Sequence, residues 1–119
     1  MTALTSRPSD RKSEAAGGTG PVGAVLVVAR GPDVGRRWSL GTDGQVVLGR
    51  DPGCDVLLSH LSVSRRHAEI RGVGDGWELR DLGSLVGSYL NGVPVDTAVL
   101  RDGDEIVLGV FRLVVSVPG

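Results

Sequence analysis

The sequence predicts an all-β fold of the sandwich type, and three observations carry that reading. Valine supplies most of the apolar weight, with 19 valines in 119 residues and only 3% aromatics. Such branched side chains suit a pleated, half-buried surface. Apolar residues recur at every second position, and no stretch sustains a helical period. Glycine and proline punctuate these runs at intervals of about 8–12 residues, as in sandwiches and unlike βαβ units.

The elements follow in order. Ala24-Val25-Leu26-Val27-Val28-Ala29 is apolar on both faces and predicts a well-buried first strand. Trp38 and Leu40 alternate with Arg37 and Ser39, and Val46 and Leu48 lead into Gly49. Val56-Leu57-Leu58 is a short strand. Ala68 and Ile70 alternate with His67, Glu69 and Arg71, and Trp77 and Leu79 with Glu78 and Arg80. Asn91-Gly92 between Tyr89-Leu90 and Val93-Pro94-Val95 is a strong hairpin signal, because a primed two-residue turn needs positive φ at both central positions. Ile106 and Leu108 mark a further strand, and Phe111, Leu113, Val115 and Val117 share one face of the last. Gly31-Pro32-Asp33-Val34-Gly35, Asp51-Pro52-Gly53, Gly72 to Gly76 and Asp102-Gly103 supply the turns between them. About ten short strands result, with no internal repeat.

Residues 1–21 read as a flexible tail and residues 22–119 as one folded domain. The tail is rich in Ser, Thr, Gly and Pro and carries too few apolar side chains to offset its ordering entropy. The charges nearly cancel, 13 Lys+Arg against 14 Asp+Glu, which argues against a nucleic-acid partner. The longest apolar run, Ala24 to Ala29, falls far short of the roughly 20 residues of a membrane span. The N-terminus lacks the apolar stretch of a signal peptide. Cys54 is the single cysteine, so no internal disulfide exists and a reducing compartment is expected. The expectation is a cytoplasmic protein with no membrane partner. Arginine outnumbers lysine twelve to one, which bears on the genome more than on function.

Several motifs invite chemistry. Gly18-Thr19-Gly20-Pro21-Val22-Gly23 matches G-x-G-x-x-G, but a dinucleotide site needs a strand before it and a helix after it. Here a tail precedes and a strand follows, so the segment reads as a linker and no cofactor is expected. Ser64, His67 and Asp81 contain the residue types of a hydrolytic triad, without the G-x-S-x-G elbow that exposes a nucleophile. Cys54, His60 and His67 match no zinc spacing, so no metal is expected. No catalytic residue is assigned, and the chain reads as a non-enzyme.

The cluster that stands out is cationic and lies in loops: Gly49-Arg50, Ser64-Arg65-Arg66-His67, and the glycine-punctuated Asp81 to Ser88. Loops at one end of a sandwich are where binding residues usually sit. Arginine, a hydroxyl and loop N–H groups are the parts that hold a dianionic phosphate, while composition alone favours a solvated basic rim, since most charges lie on the surface.

These residues resemble the forkhead-associated (FHA) domain. Gly49-Arg50, Ser64-Arg65-Arg66-His67-Ala68-Glu69, the block from Asp81 to Gly92 and the block from Asp102 to Gly109 match its order and spacing across about residues 24–116. Gly31-Pro32, Val63 to Glu69 and Val93-Pro94-Val95-Asp96 to Leu100 resemble the small actinobacterial proteins of the GarA type. The resemblance implies an eleven-stranded β-sandwich whose loops at one end bind phosphothreonine peptides in Ser/Thr kinase signalling. It implies that Arg50 pairs with the phosphate, that Ser64 donates its hydroxyl to it, and that Arg65 adds a second cation or contacts the peptide. Leu85 and Val86 would flank the peptide. Ser62 stands where some members read the side chain three past the phosphothreonine, and a small neutral residue there implies no strong acidic selectivity. Gly49, His67, Gly87 and Asn91 would support the site, with His67 bracing the loops and not catalysing. The implied partner is a phosphothreonine-containing protein, either a kinase or a kinase substrate. GarA-type proteins also restrain 2-oxoglutarate-handling enzymes through the same end, which implies an alternative: phosphorylation-independent docking on a metabolic enzyme.

The chain departs from that pattern twice. Leu85-Val86-Gly87-Ser88 stands where the family usually has Asn before the glycine, and valine offers no hydrogen bond to the peptide backbone. Weakened phosphopeptide binding is therefore expected, by about 1–3 kcal/mol. GarA-type proteins also carry a phosphorylated N-terminal threonine pair that folds onto its own site. No Thr-Thr pair exists here, and Thr2, Thr5 and Thr19 are the candidate substrates.

Overall fold

Period-two patterning becomes eleven strands in the computed structural model, which describes residues 23–41 and 44–118. They are β1 (Ala24–Arg30), β2 (Arg37–Leu40), β3 (Gln45–Gly49), β4 (Val56–Leu57), β5 (Ala68–Val73), β6 (Gly76–Asp81), β7 (Ser88–Leu90), β8 (Val93–Val95), β9 (Thr97–Leu100), β10 (Glu105–Leu108) and β11 (Phe111–Ser116). A six-stranded sheet has the order β2-β1-β11-β10-β7-β8, and a five-stranded sheet the order β4-β3-β5-β6-β9. All pairings are antiparallel except β3 with β4. No helix forms among the described residues, so none is long and apolar enough to cross a membrane.

The all-β expectation holds, and so does the count of eleven implied by the resemblance. Residue patterning alone under-read one strand. Thr97–Leu100 forms β9 against β6, with Leu79 opposite Ala98 and Trp77 opposite Leu100. Its four residues bury one large side chain, Leu100, so the alternation is too short to stand out. Leu58 and Val117 fall just outside β4 and β11 yet pack on the core.

Leu26, Val28, Leu48, Ile70, Trp77, Leu79, Ile106, Phe111 and Leu113 meet between the two sheets and are almost fully buried. Each such side chain contributes roughly 1.5–3 kcal/mol by leaving water. Asn91 (φ 50°) and Gly92 (φ 84°) make the expected two-residue turn, with Leu90 opposite Val93. The proposed tail, residues 1–21, and its boundary at residue 22 lie outside the described residues, as do Thr2, Thr5 and Thr19. Of the G-x-G-x-x-G segment only Gly23 is described, and β1 follows it directly.

Candidate functional site

Four connections converge at one end of the sandwich. They are the β3–β4 loop with Arg50, the β4–β5 loop with Ser62, Ser64 and Arg65, the β6–β7 loop with Leu85, Val86 and Gly87, and the β10–β11 turn with Gly109 and Val110. Their mutual hydrogen bonds fix the arrangement.

Gly49 ends β3 fully tucked in. A Cβ there would collide with the Arg65 carbonyl and stand 3.0 Å from Cys54 Sγ, so only glycine lets the β3–β4 and β4–β5 loops come this close. That approach allows the Arg50 amide to donate to the Ser64 carbonyl at 3.1 Å and the Asp51 amide to the Arg65 carbonyl at 3.1 Å. Arg50 Nε donates to the Val63 carbonyl at 3.0 Å, which orients the guanidinium along the β4–β5 loop. Its other four N–H donors are on the terminal nitrogens.

Ser64 is held from every side. Its amide donates to His67 Nδ1 (3.1 Å), its carbonyl accepts from Arg50, and its Oγ accepts from the Leu85 amide (3.0 Å). The hydroxyl keeps its own proton to donate outward. Arg65 and Arg66 are exposed beside it. Ser62 has a different setting. Its Oγ accepts from the Val110 amide at 3.0 Å and lies 2.9 Å from His60 Nδ1, tying the β4–β5 loop to the β10–β11 turn. Gly109, at φ 60°, packs directly on Ser62.

His67 is completely buried. Nδ1 accepts from Ser64, and Nε2 donates to the Gly87 carbonyl at 2.8 Å, so the ring is the neutral Nε2–H tautomer. Its backbone adds bonds to Leu48 and Leu82. One residue thus links β3 and both long loops.

Asp81 shapes the β6–β7 loop, and it was assigned no supporting role from sequence. Oδ1 accepts from the Ser84 and Ser88 hydroxyls at 2.6 Å each, and Oδ2 from the Gly83 and Ser84 amides at 3.0 Å. Burial alone would raise its pKa. Those four donors outweigh burial and hold the carboxyl below its usual 3.8. Ser84 Oγ in turn accepts from the Gly87 amide at 3.0 Å. The signal in sequence was Asp followed two residues later by Gly, the spacing of an Asx turn, with serines three and seven residues on. Gly87 has φ 90°, a conformation that favours glycine.

Ser64, His67 and Asp81 do not form a relay. His67 takes the Ser64 amide and not its hydroxyl, and Asp81 bonds Ser84 and Ser88. Cys54, His60 and His67 have separate partners: Cys54 Sγ donates to the Arg65 carbonyl at 3.2 Å, and His60 bonds Ser62. Burial, then the Asp51 carboxylate, push the Cys54 thiol above its usual pKa. No group of three metal-ligating side chains occurs among the described residues.

Arg50, Ser64, Arg65, Leu85, Val86, Gly49, His67 and Gly87 therefore meet in one loop cluster. Asn91 does not join it. It lies at the opposite end of β7, where its side chain bonds Asp104 and the Glu105 amide at 3.0 Å and anchors the start of β10. Around the polar centre stand apolar side chains that face water: Leu85 (92% exposed), Leu61 (88%), Val86 (46%) and Val110 (42%).

A family model of the FHA domain matches residues 46–109. The chain is 50% identical over 91 residues to an oxoglutarate dehydrogenase inhibitor from Corynebacterium jeikeium, covering 76% of this chain and 62% of that protein. It is also 50% identical over 91 residues to the glycogen accumulation regulator GarA of Mycolicibacterium smegmatis, covering 76% and 57%. The chain thus spans about three fifths of the length of these curated relatives. Among solved structures, an FHA domain studied for phosphothreonine-dependent interactions superposes with TM-score 0.75 at 34% identity, over 82% of this chain and 99% of the other.

Proposed function

Because the chain belongs to the FHA domain family, we propose that it is a non-catalytic module that binds phosphothreonine peptides and works with Ser/Thr protein kinases. The observation that carries this reading is Ser64. Its hydroxyl oxygen is held at the junction of three loops, beside Arg50 and Arg65, by the Leu85 amide, which leaves its proton for a ligand in the cluster. The similar FHA domain studied for phosphothreonine-dependent interactions supports it.

In this reading Arg50 and Ser64 grip the phosphate and Arg65 adds charge. Leu85 and Val86 line the peptide path, and Ser62 offers no cation to an acidic side chain. Gly49, His67 and Gly87 hold the loops still. A phosphothreonine brings nearly two negative charges and three acceptor oxygens. Hydrogen bonds to charged groups contribute roughly 1.5–3 kcal/mol each, and each ~1.4 kcal/mol is tenfold in affinity, so phosphorylation of the partner switches binding. The partner is a kinase or a kinase substrate. We place the protein in the cytoplasm, with residues 1–21 as a tail on an FHA domain of residues 22–119.

One observation favours a second reading, phosphorylation-independent docking on a metabolic enzyme through the same loops. Leu85 and Leu61 are almost fully exposed there, and a relative is named for inhibiting oxoglutarate dehydrogenase. Solvent-facing leucines at a binding end suit a protein surface as well as a peptide.

Calorimetric titration of one threonine peptide, with and without phosphate, tests the choice. Phosphate-dependent binding that falls at least ~10-fold in both Ser64→Ala and Arg50→Ala is expected. Equal binding of both peptides, or of a phosphatase-treated partner, overturns the first reading in favour of the second.

A further inference from the structure

One side of the loop cluster continues onto the edge of the six-stranded sheet. Ser62 Oγ accepts from the Val110 amide at 3.0 Å, which ties the β4–β5 loop to the β10–β11 turn. The β1–β2 turn packs against that turn in its own right. A Cβ on Gly31 would stand 2.7 Å from the Val110 carbonyl oxygen, so the two turns lie in backbone contact. Ser62, Val110 and Gly31 therefore form an unbroken rim, and Val110 in its middle faces water.

Ser62 has no proton left for a ligand. His60 Nδ1 accepts from the Ser62 amide at 3.0 Å, so that nitrogen carries no hydrogen. The 2.9 Å contact between His60 Nδ1 and Ser62 Oγ is then a bond donated by the hydroxyl. With Val110 on one side and His60 on the other, the hydroxyl is engaged within the fold. Any reading of an acidic side chain falls to groups further along the rim.

Those groups are arginines. β1 and β11 are antiparallel neighbours, and their register slips by one residue at Ala29. Val28 stands opposite Leu113, yet Arg30 stands opposite Arg112. Regular pairing would put Ala29 there. The slip thus sets a second cation beside Arg112, as bulges near binding sites re-aim side chains. Val28 and Leu113 belong to the core, so Arg112 and its partner Arg30 face outward. Like charges directly opposite each other cost a sheet stability. Arg112 has Glu105, 3.7 Å from its Nε. Arg30 is exposed and has no carboxylate partner among the described residues. Residues 30–37 carry three arginines against the single carboxylate of Asp33. Two arginines in register, adjoining the rim and short of one counter-charge, fit a carboxylate brought from outside.

We propose that Arg30 and Arg112 are specificity residues that read an acidic side chain, Asp or Glu, of the phosphothreonine partner. The proposal rests on the phosphothreonine reading, in which Arg50 and Ser64 grip the phosphate and Ser62 faces the side chain three residues past it. The path from Ser64 through Ser62 and Val110 to Arg30 is on the order of 15–20 Å, which an extended chain covers in roughly five or six residues. The acidic side chain therefore lies about five to seven positions after the phosphothreonine.

The test is calorimetric titration at about 0.15 M salt, where exposed charges more than ~8 Å apart are largely screened. Three phosphothreonine peptides share one core sequence. The first carries glutamates over those later positions, the second carries glutamines there, and the third carries the glutamates at the same distance before the phosphothreonine. The wild type binds the first at least ~5-fold more tightly than the other two. The double variant Arg30→Gln, Arg112→Gln loses that advantage and binds the glutamine peptide as the wild type does. Its melting temperature stays at or above the wild-type value, because the like-charge contact is gone. A glutamine peptide that binds while the glutamates add nothing overturns the proposal and leaves the phosphothreonine reading standing. So does a gain that survives the double substitution, or one that appears equally with glutamates before the phosphothreonine. Binding of none of the three peptides overturns both.

Discussion

The Nε2–H of His67 donates to the Gly87 carbonyl at 2.8 Å, twenty residues away in sequence, while Nδ1 accepts from the Ser64 amide at 3.1 Å. A buried imidazole is thus the rivet between the loop that carries Ser64 and the loop that carries Leu85 and Val86. Both bonds need the neutral ring and one tautomer, so the residue acts through shape and hydrogen bonding.

His67→Ala is expected to destabilise the domain by about 2–5 kcal/mol. It leaves the Ser64 amide and Gly87 carbonyl unpaired, at roughly 1–3 kcal/mol each where no water replaces the ring, and opens a cavity. Urea denaturation measures this. A midpoint within error of the wild type would refute the bracing role.

Gly49→Ala is expected to cost at least about 1–3 kcal/mol, because the new methyl meets the Arg65 carbonyl, a backbone atom that cannot rotate away. The strand and loop must part, so peptide affinity falls together with thermal stability. Gly83→Ala is the control. It has open space around its Cβ but φ 76°, so it feels only backbone strain.

Val86→Asn should strengthen phosphopeptide binding. The amide side chain would supply hydrogen bonds to the peptide backbone that valine lacks, worth about 1–3 kcal/mol or roughly 5- to 150-fold. Val86 is already solvent-facing, at 46% exposure, so the change should leave the melting temperature nearly unmoved. Isothermal titration against the same phosphothreonine peptide decides it, and unchanged affinity would sink the explanation.

Asp81 gives the fold an acid-sensitive joint. Its folded pKa lies below its usual value of 3.8, so ionised Asp81 stabilises the native state fully above that value. That contribution disappears as pH falls through the folded pKa. Wild-type stability should therefore drop more steeply than that of Asp81→Asn as urea midpoints are followed from neutral pH into the acid range. Parallel curves for the two proteins would contradict the assignment.

Much of this was legible from residue order because its causes are local. Asn91-Gly92 forms its turn through the backbone preferences of two adjacent residues, and β1 forms from a run of six apolar ones. Gly49-Arg50 and Ser64 to His67 pointed to the loop cluster through residue type and spacing. β9 was harder, since its partner β6 makes it a strand and its own four residues hardly alternate. Asn91 shows the opposite error. Its turn was plain, but which end of the sandwich that turn occupies depends on how β7 and β10 pair.

By itself, the sequence determined the fold class, the strand-and-turn rhythm and which loops carry the cationic and hydroxyl residues. Those follow from side-chain volume, branching, charge and backbone freedom, which each residue carries with it. The tertiary structure alone decided that Ser64 Oγ would meet the Leu85 amide, that Asp81 would gather four donors, and that Arg30 would stand opposite Arg112. These are contacts between residues far apart in the chain. Their distances are set by sheet order and register, and register is the joint outcome of all the side chains packed between the two sheets.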